Sequence, residues 1–230
     1  TPFERGDAPR KPVLTQLQLR TRRAKRALAA RGMLEAVTWS FVSKTQADLF
    51  GGGQTDLTLA NPIASDLSDM RPSLVAGLIA AAQANADRGF PDVALFEVGQ
   101  IFKGDQPEDQ FMAASGVRRA QASSKGVGRQ WSGSFTVDAL DAKADALAVL
   151  AAAGAPMQGL QIVSAKDSKN FPAWLHPGRS GAIQIGPQNV LGYFGELHPR
   201  ALETLKADGP LVAFEVILER IPDAKAKPTR

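Results

Sequence analysis

The chain has 230 residues, 44% of them hydrophobic and 22% charged, a balance that excludes a collagen-like, rod-like or largely disordered molecule. It contains no cysteine and two histidines, His176 and His198, which excludes disulfides, thiolate metal sites, cysteine nucleophiles and a three-histidine metal centre. The net charge of +4 is concentrated at one end: residues 1–31 carry nine Lys or Arg against Glu4 and Asp7, and the rest of the chain is slightly acidic. No stretch of about 18 uncharged apolar residues is present, so no membrane-spanning helix is expected.

Thr1 is not an initiator methionine, and the Pro-containing residues 1–12 read as a linker from an upstream domain. Val13–Arg31 is predicted to be a helix, because Leu14, Leu17, Thr21, Ala24 and Leu28 fall on one stripe and Gly32 supplies a stop. Its other face carries Arg20, Arg22, Arg23, Lys25 and Arg26. Met33–Ser43, rich in Val, Thr, Trp and Phe, is predicted to be a strand, and Asp56–Ala60 a short one. Ser73–Asp87 is an alanine-rich helix, and Val93–Lys103 alternates as a central strand. Phe111–Arg119 should pair with it antiparallel, since the connection is shorter than the dozen or so residues of a parallel crossover.

Residues 120–134 are polar and Gly/Ser-rich, a loop. Leu140–Ala153 reads as a second alanine-rich helix ended by Gly154. Strands follow at Leu160–Ala165, Ala182–Gly186 and Val190–Leu197, then a short helix over Pro199–Ala207 and a long strand over Leu211–Ile221. Residues 13–221 thus form an α+β domain, a mainly antiparallel sheet flanked by helices. Pro222–Arg230 reads as a linker to a C-terminal domain.

Chemistry-bearing motifs are sparse. Gly51–Gly53 lacks the Lys-Ser/Thr of a phosphate loop, and Gly126–Gly128 sits in a polar loop. His176-Pro177-Gly178 and His198-Pro199 read as turn and cap settings. Glu97, Glu196 and Glu215 lie in predicted strands, where they could line a cleft or pair with arginines; the sequence does not put them on one face. The basic helix could contact nucleic-acid phosphates but lacks interleaved aromatics for base stacking. Its narrow apolar stripe suits a helix–helix contact, within the domain or with another subunit.

Five stretches in order resemble the β subunit of bacterial phenylalanyl-tRNA synthetase: Arg31–Val42 (RGMLEAVTWSFV), Asn61–Leu78 (NPIASDLSDMRPSLVAGL), Leu95–Phe102 (LFEVGQIF), His176–Ser180 (HPGRS) and Gly192–Pro199 (GYFGELHP). The resemblance implies the catalytic-like module of that subunit, with the class II aminoacyl-tRNA synthetase fold, in a cytoplasmic α₂β₂ assembly. It further implies that the α subunit joins phenylalanine to tRNA(Phe) using ATP and Mg²⁺, while this module packs on α, partly through its first helix at Leu14, Leu17, Thr21, Ala24 and Leu28. No catalytic, cofactor or metal residue is carried over.

Two signature positions of active class II enzymes look degenerate. The ATP-clamping arginine and the acidic residue two further on fall at Lys103 and Asp105. A glycine-spaced strand ending in arginine is represented by Val212–Ile221, which ends in Glu219-Arg220 but carries Phe214, Val216 and Ile217. The resemblance therefore implies no ATP site here, and a sheet face filled by its own side chains. A tRNA-contacting role through Arg20, Arg22, Arg23, Lys25 and Arg26 is the alternative.

Overall fold

The computed structural model describes residues 13–119, 121–122, 135–168 and 171–223. The predicted linkers 1–12 and 224–230 and most of the Gly/Ser-rich loop lie outside them.

The first helix, α1 (Gln16–Ala30), starts later than Val13 because Thr15 is extended and caps it. The Thr15 hydroxyl accepts from Gln18 N at 3.2 Å, and the Gln18 side chain accepts from Thr15 N at 2.9 Å, satisfying two N–H groups that the first turn leaves without partners. The predicted strand Met33–Ser43 divides into β1 (Leu34–Glu35) and β2 (Phe41–Val42). Between them Thr38 is drawn to the Glu97 carboxylate, through its N–H at 3.2 Å and its hydroxyl at 2.7 Å, which turns the chain off the main sheet. After α2 (Lys44–Leu49), the strand expected at Asp56–Ala60 is a 3₁₀ turn over Thr55–Leu57, because local i→i+3 bonds take its N–H groups.

Then come β3 (Asp69–Met70), α3 (Val75–Asp87), β4 (Ala94–Phe102) and β5 (Gln110–Arg119). β6 (Gln121–Ala122) pairs with β7 (Phe135–Thr136), followed by α4 (Ala139–Ala153) and β8 (Leu160–Ser164). The chain closes through β9 (Leu175–Ile185), β10 (Asn189–Leu197), α5 (Pro199–Thr204) and β11 (Leu211–Ile217). β9 begins seven residues before the expected Ala182, and the His176-Pro177-Gly178 turn is a bulge inside it: Leu175 faces Leu197 while Ser180 faces Gly195. β11 stops at Ile217, four residues short of the expected end, where Leu218–Arg220 tightens into a 3₁₀ turn.

Seven strands form one sheet in the order β1-β4-β5-β11-β10-β9-β8. β1 runs parallel to β4 and every other pair is antiparallel, which agrees with the α+β expectation. Strand alternation sorts the side chains onto two faces. On one, Phe96, Val98, Ala114, Val212, Phe214 and Val216 pack under α1 and α4 through Ala24, Leu28, Ala146, Val149 and Leu150. Each fully buried Leu or Phe there contributes roughly 1.5–3 kcal/mol. On the other, Leu95, Val117, Leu211 and Ala213 pack under α3 through Val75, Leu78 and Ile79. Asp145 of α4, 1% exposed, pairs with Arg31 and with Arg118 at 2.6 Å, fastening α4 to the end of α1 and to β5.

Candidate functional site

The α3 face of the sheet carries polar groups at its centre. Glu97 of β4 and Glu215 of β11 both stand opposite Ser115 of β5, so two of the three strand carboxylates share a face. Both are committed by hydrogen bonds. Glu97 accepts from Arg71 Nη1 at 2.8 Å with one oxygen and from Thr38 with the other. Glu215, 8% exposed, accepts with Oε2 from Ser73 Oγ at 2.8 Å, Ser115 Oγ at 2.8 Å and Leu74 N at 3.0 Å. That last donor heads α3, where the helix presents unpaired N–H groups and favours negative charge. The third carboxylate, Glu196, lies at the surface and holds Arg179 at 2.5 and 2.7 Å.

Beside Glu215 opens a cleft of about 390 Å³. Its floor is Gly192, Tyr193, Glu215 and Ile217; its walls are the end of α2 and the Phe171–Trp174 segment; Lys103 and Arg220 also line it. The expectation of a filled face is corrected here. Phe214 and Val216 point through the sheet into the opposite core because alternate residues of a strand face opposite ways, so of the three bulky residues only Ile217 reaches this side. Lys103 lies just past β4 as an exposed residue, and the tip of its side chain donates to Pro72 O at 2.8 Å in a part-buried contact. Burial of that tip pulls its pKa below the lysine range; Glu215 opposes the shift and Arg220 adds to it. Burial raises the Tyr193 phenol, with Arg220 working against that shift and Glu215 with it. The Arg220 guanidinium sits 5.8 Å from the centre of the Phe111 ring and donates to Val190 O at 3.2 Å. Asp105 is exposed in the β4–β5 turn, outside the cleft, and accepts from Gln106.

The fold is that of a class II synthetase: the pyrrolysyl-tRNA synthetase of Desulfitobacterium hafniense superposes with a TM-score of 0.59 at 17% identity, over 88% of this chain and 66% of that one. Residues 6–218 match the phenylalanyl tRNA synthetase beta chain CLM domain. The chain belongs to that family. It is 80% identical over its whole length to the phenylalanine–tRNA ligase beta subunit of Rhodopseudomonas palustris and 76% identical to that of Nitrobacter winogradskyi, and spans 28% of each.

In this β-chain module the apolar stripe of α1 turns largely inward, the within-domain contact that the sequence left open. Ala24 and Leu28 are fully buried in the domain's own core, Leu17 packs on its edge, and Leu14 and Thr21 are half-buried. Leu17, Ala24 and Leu28 therefore pack within the domain, with α4 and the sheet in the same core. Arg20 is buried too, donating to Leu218 O, Pro222 O and Asp223, and Lys25 pairs with Glu35 at 2.6 Å. Arg22, Arg23 and Arg26 remain solvent-exposed, three of the five cations assigned to tRNA contact. Sequence reasoning passed over the cleft residues Tyr193, Phe171 and Trp174, because they come from segments that meet only in the folded sheet. It also missed the exposed apolar run after α1: Leu34, Val37 and Trp39 are 70%, 88% and 67% exposed. Among the described residues no helix is long and apolar enough to cross a membrane.

Proposed function

We propose that this chain is the non-catalytic core of a phenylalanine–tRNA ligase β subunit, and that it packs on an α subunit that charges tRNA(Phe) with phenylalanine. The observation that carries the reading is the β1 edge. β1 is an end strand of the sheet, and Leu34 within it and Val37 and Trp39 just after it are exposed apolar side chains. Such an edge is a template for association. Docking moves from the buried stripe of α1 to this edge, with the outer face of α1 alongside.

The signature positions support a role without catalysis. Lys103 offers a point charge, tied to a carbonyl, where class II enzymes clamp the ATP α-phosphate with a planar bidentate fork. ATP and Mg²⁺ accordingly belong to the α subunit of the assembly. The test is co-purification with the cognate α subunit. Val37→Glu with Trp39→Glu should weaken association at least tenfold, as loss of a buried aromatic anchor does. Ile162→Glu on β8, the opposite end of the sheet, should leave it unchanged. Equal retention of α by both variants would remove the β1 edge from the interface.

A further inference from the structure

The five residues between β1 and β2, Ala36 to Ser40, belong to no strand, yet buried neighbours take up their backbone groups one after another. Ala36 N donates to Phe96 O at 2.7 Å, and Thr38 N to Glu97 Oε2 at 3.2 Å. Arg71 serves the carbonyls: its Nη1 donates to Thr38 O at 3.3 Å and to Trp39 O at 3.4 Å, and its backbone N–H to Ser40 O at 2.9 Å. The Thr38 hydroxyl links the two charged groups, donating to Glu97 Oε2 at 2.7 Å and accepting from Arg71 Nη1 at 3.1 Å. Arg71 and Glu97 are themselves buried and pair at 2.8 Å. α3 also presses on this point. A Cβ added at Gly77 would lie 2.8 Å from Thr38 Cβ, closer than side chains pack, so glycine there leaves Thr38 its place.

Val37 and Trp39 flank Thr38 and are 88% and 67% exposed, so one stretch turns a polar side chain inward and its apolar neighbours out. Ordering an unsupported loop at the moment of binding costs affinity, and a segment fixed beforehand avoids that cost. A buried ion pair is by itself a weak source of net stability, because desolvation offsets its attraction. Here the pair has a further use, since both of its members hold the backbone that carries the exposed residues. We infer that Thr38, Arg71 and Glu97 are positioning residues of the docking edge, holding Val37 and Trp39 in the arrangement that a partner meets. They act through that backbone and not by contact with the partner. The inference rests on the proposal that an α subunit docks on the β1 edge, and goes beyond it by assigning part of the affinity to groups beneath the surface.

Surface plasmon resonance of the chain on the immobilised cognate α subunit tests it with three substitutions, compared at equal folded concentration by far-ultraviolet circular dichroism. Thr38→Val keeps the shape of the side chain and removes the hydroxyl that links Arg71 and Glu97. Gly77→Ala raises helix propensity in α3 but displaces Thr38. Thr38→Ser keeps the hydroxyl. The first two should bind about tenfold more weakly, with the loss in the association rate and the dissociation rate unchanged. A smaller fraction of the chain is then ready to dock, while the docked contacts are the same. Thr38→Ser should bind like the wild type. Wild-type association by both Thr38→Val and Gly77→Ala overturns the inference. So does a loss carried by faster dissociation, or a Thr38→Ser variant as weak as Thr38→Val. If Val37→Glu with Trp39→Glu weakens binding while Thr38→Val and Gly77→Ala bind normally, positioning fails and the docking edge stands. Retention of α by that surface double variant removes both.

Discussion

Arg71 and Glu97 form a buried ion pair at 2.8 Å, and Arg71 also donates to the carbonyls of Gln100 and Thr38. The pair ties β4 to the chain between β1 and β2, so its partners are worth more together than apart. Arg71→Ala should destabilise the chain by about 3–5 kcal/mol in urea unfolding, because Glu97 would be left buried without its cation. The double variant Arg71→Met/Glu97→Leu should lose less; a double loss equal to the single would show that the pair is not the source of the cost. Lys103 makes a pH prediction. With its folded pKa below 10.5, the unfolded chain binds more protons between that depressed value and 10.5. Stability contributed by Lys103 is therefore absent at the low end of the window and increases with pH across it. Unfolding midpoints from neutral pH to about 10 should rise for the wild type relative to Lys103→Met. A constant difference would mean that the ammonium is not desolvated by folding. The comparison is with Lys103→Met because Tyr193, whose raised value acts in the opposite direction at high pH, is common to both chains.

At the scale of elements, α1 and α4 make one layer on the sheet, and different devices hold each. α4 starts at Asp138, whose carboxylate accepts from Leu140 N at 2.7 Å while Asp141 returns to Asp138 N at 2.8 Å. It ends at Gly154 in the left-handed region, φ 87°, where glycine has no Cβ to strain. Asp138→Ala should lower stability by about 1 kcal/mol, the usual loss of an N-cap. α1 depends more on packing: Leu28→Ala should cost about 2–5 kcal/mol, as a fully enclosed leucine does. Thermal unfolding of the two variants checks the order. If Leu28→Ala were the milder of the two, α1 would not be part of the core.

For the whole molecule, the two ends of the sheet differ. β8 carries Gln161, Ile162 and Val163 on a five-residue strand, whereas β1 pairs only two residues with β4 and leaves Leu34, Val37 and Trp39 in solvent. A bare apolar edge should make the isolated chain self-associate. Its sedimentation coefficient is expected to rise with concentration, and Val37→Glu with Trp39→Glu should return it to a monomer. A monomer at every concentration would show that the edge alone is too small to hold a partner.

Much of this was legible in the residues. The alternation of Val93–Lys103, its short link to Phe111–Arg119 and the alanine-rich helices are local patterns, and local patterns bring local structure with them. The family likewise shows in linear blocks such as Asn61–Leu78 and Gly192–Pro199. What the chain could not disclose is which surfaces face inward. The stripe Leu14, Leu17, Thr21, Ala24 and Leu28 announced a contact but not with what, and the tertiary structure gave much of it to the domain's own core. Arg20 looked like one of a row of surface cations until the chain at Leu218–Asp223 folded over it. Phe214 and Val216 appeared to block the α3 face, and the pleat turned them to the other side. Glu97, Ser115, Tyr193 and Glu215 are scattered over more than a hundred residues. Only strand order and register bring them to one face, since pairing between distant strands is set by how whole elements pack and not by any residue's neighbours in sequence.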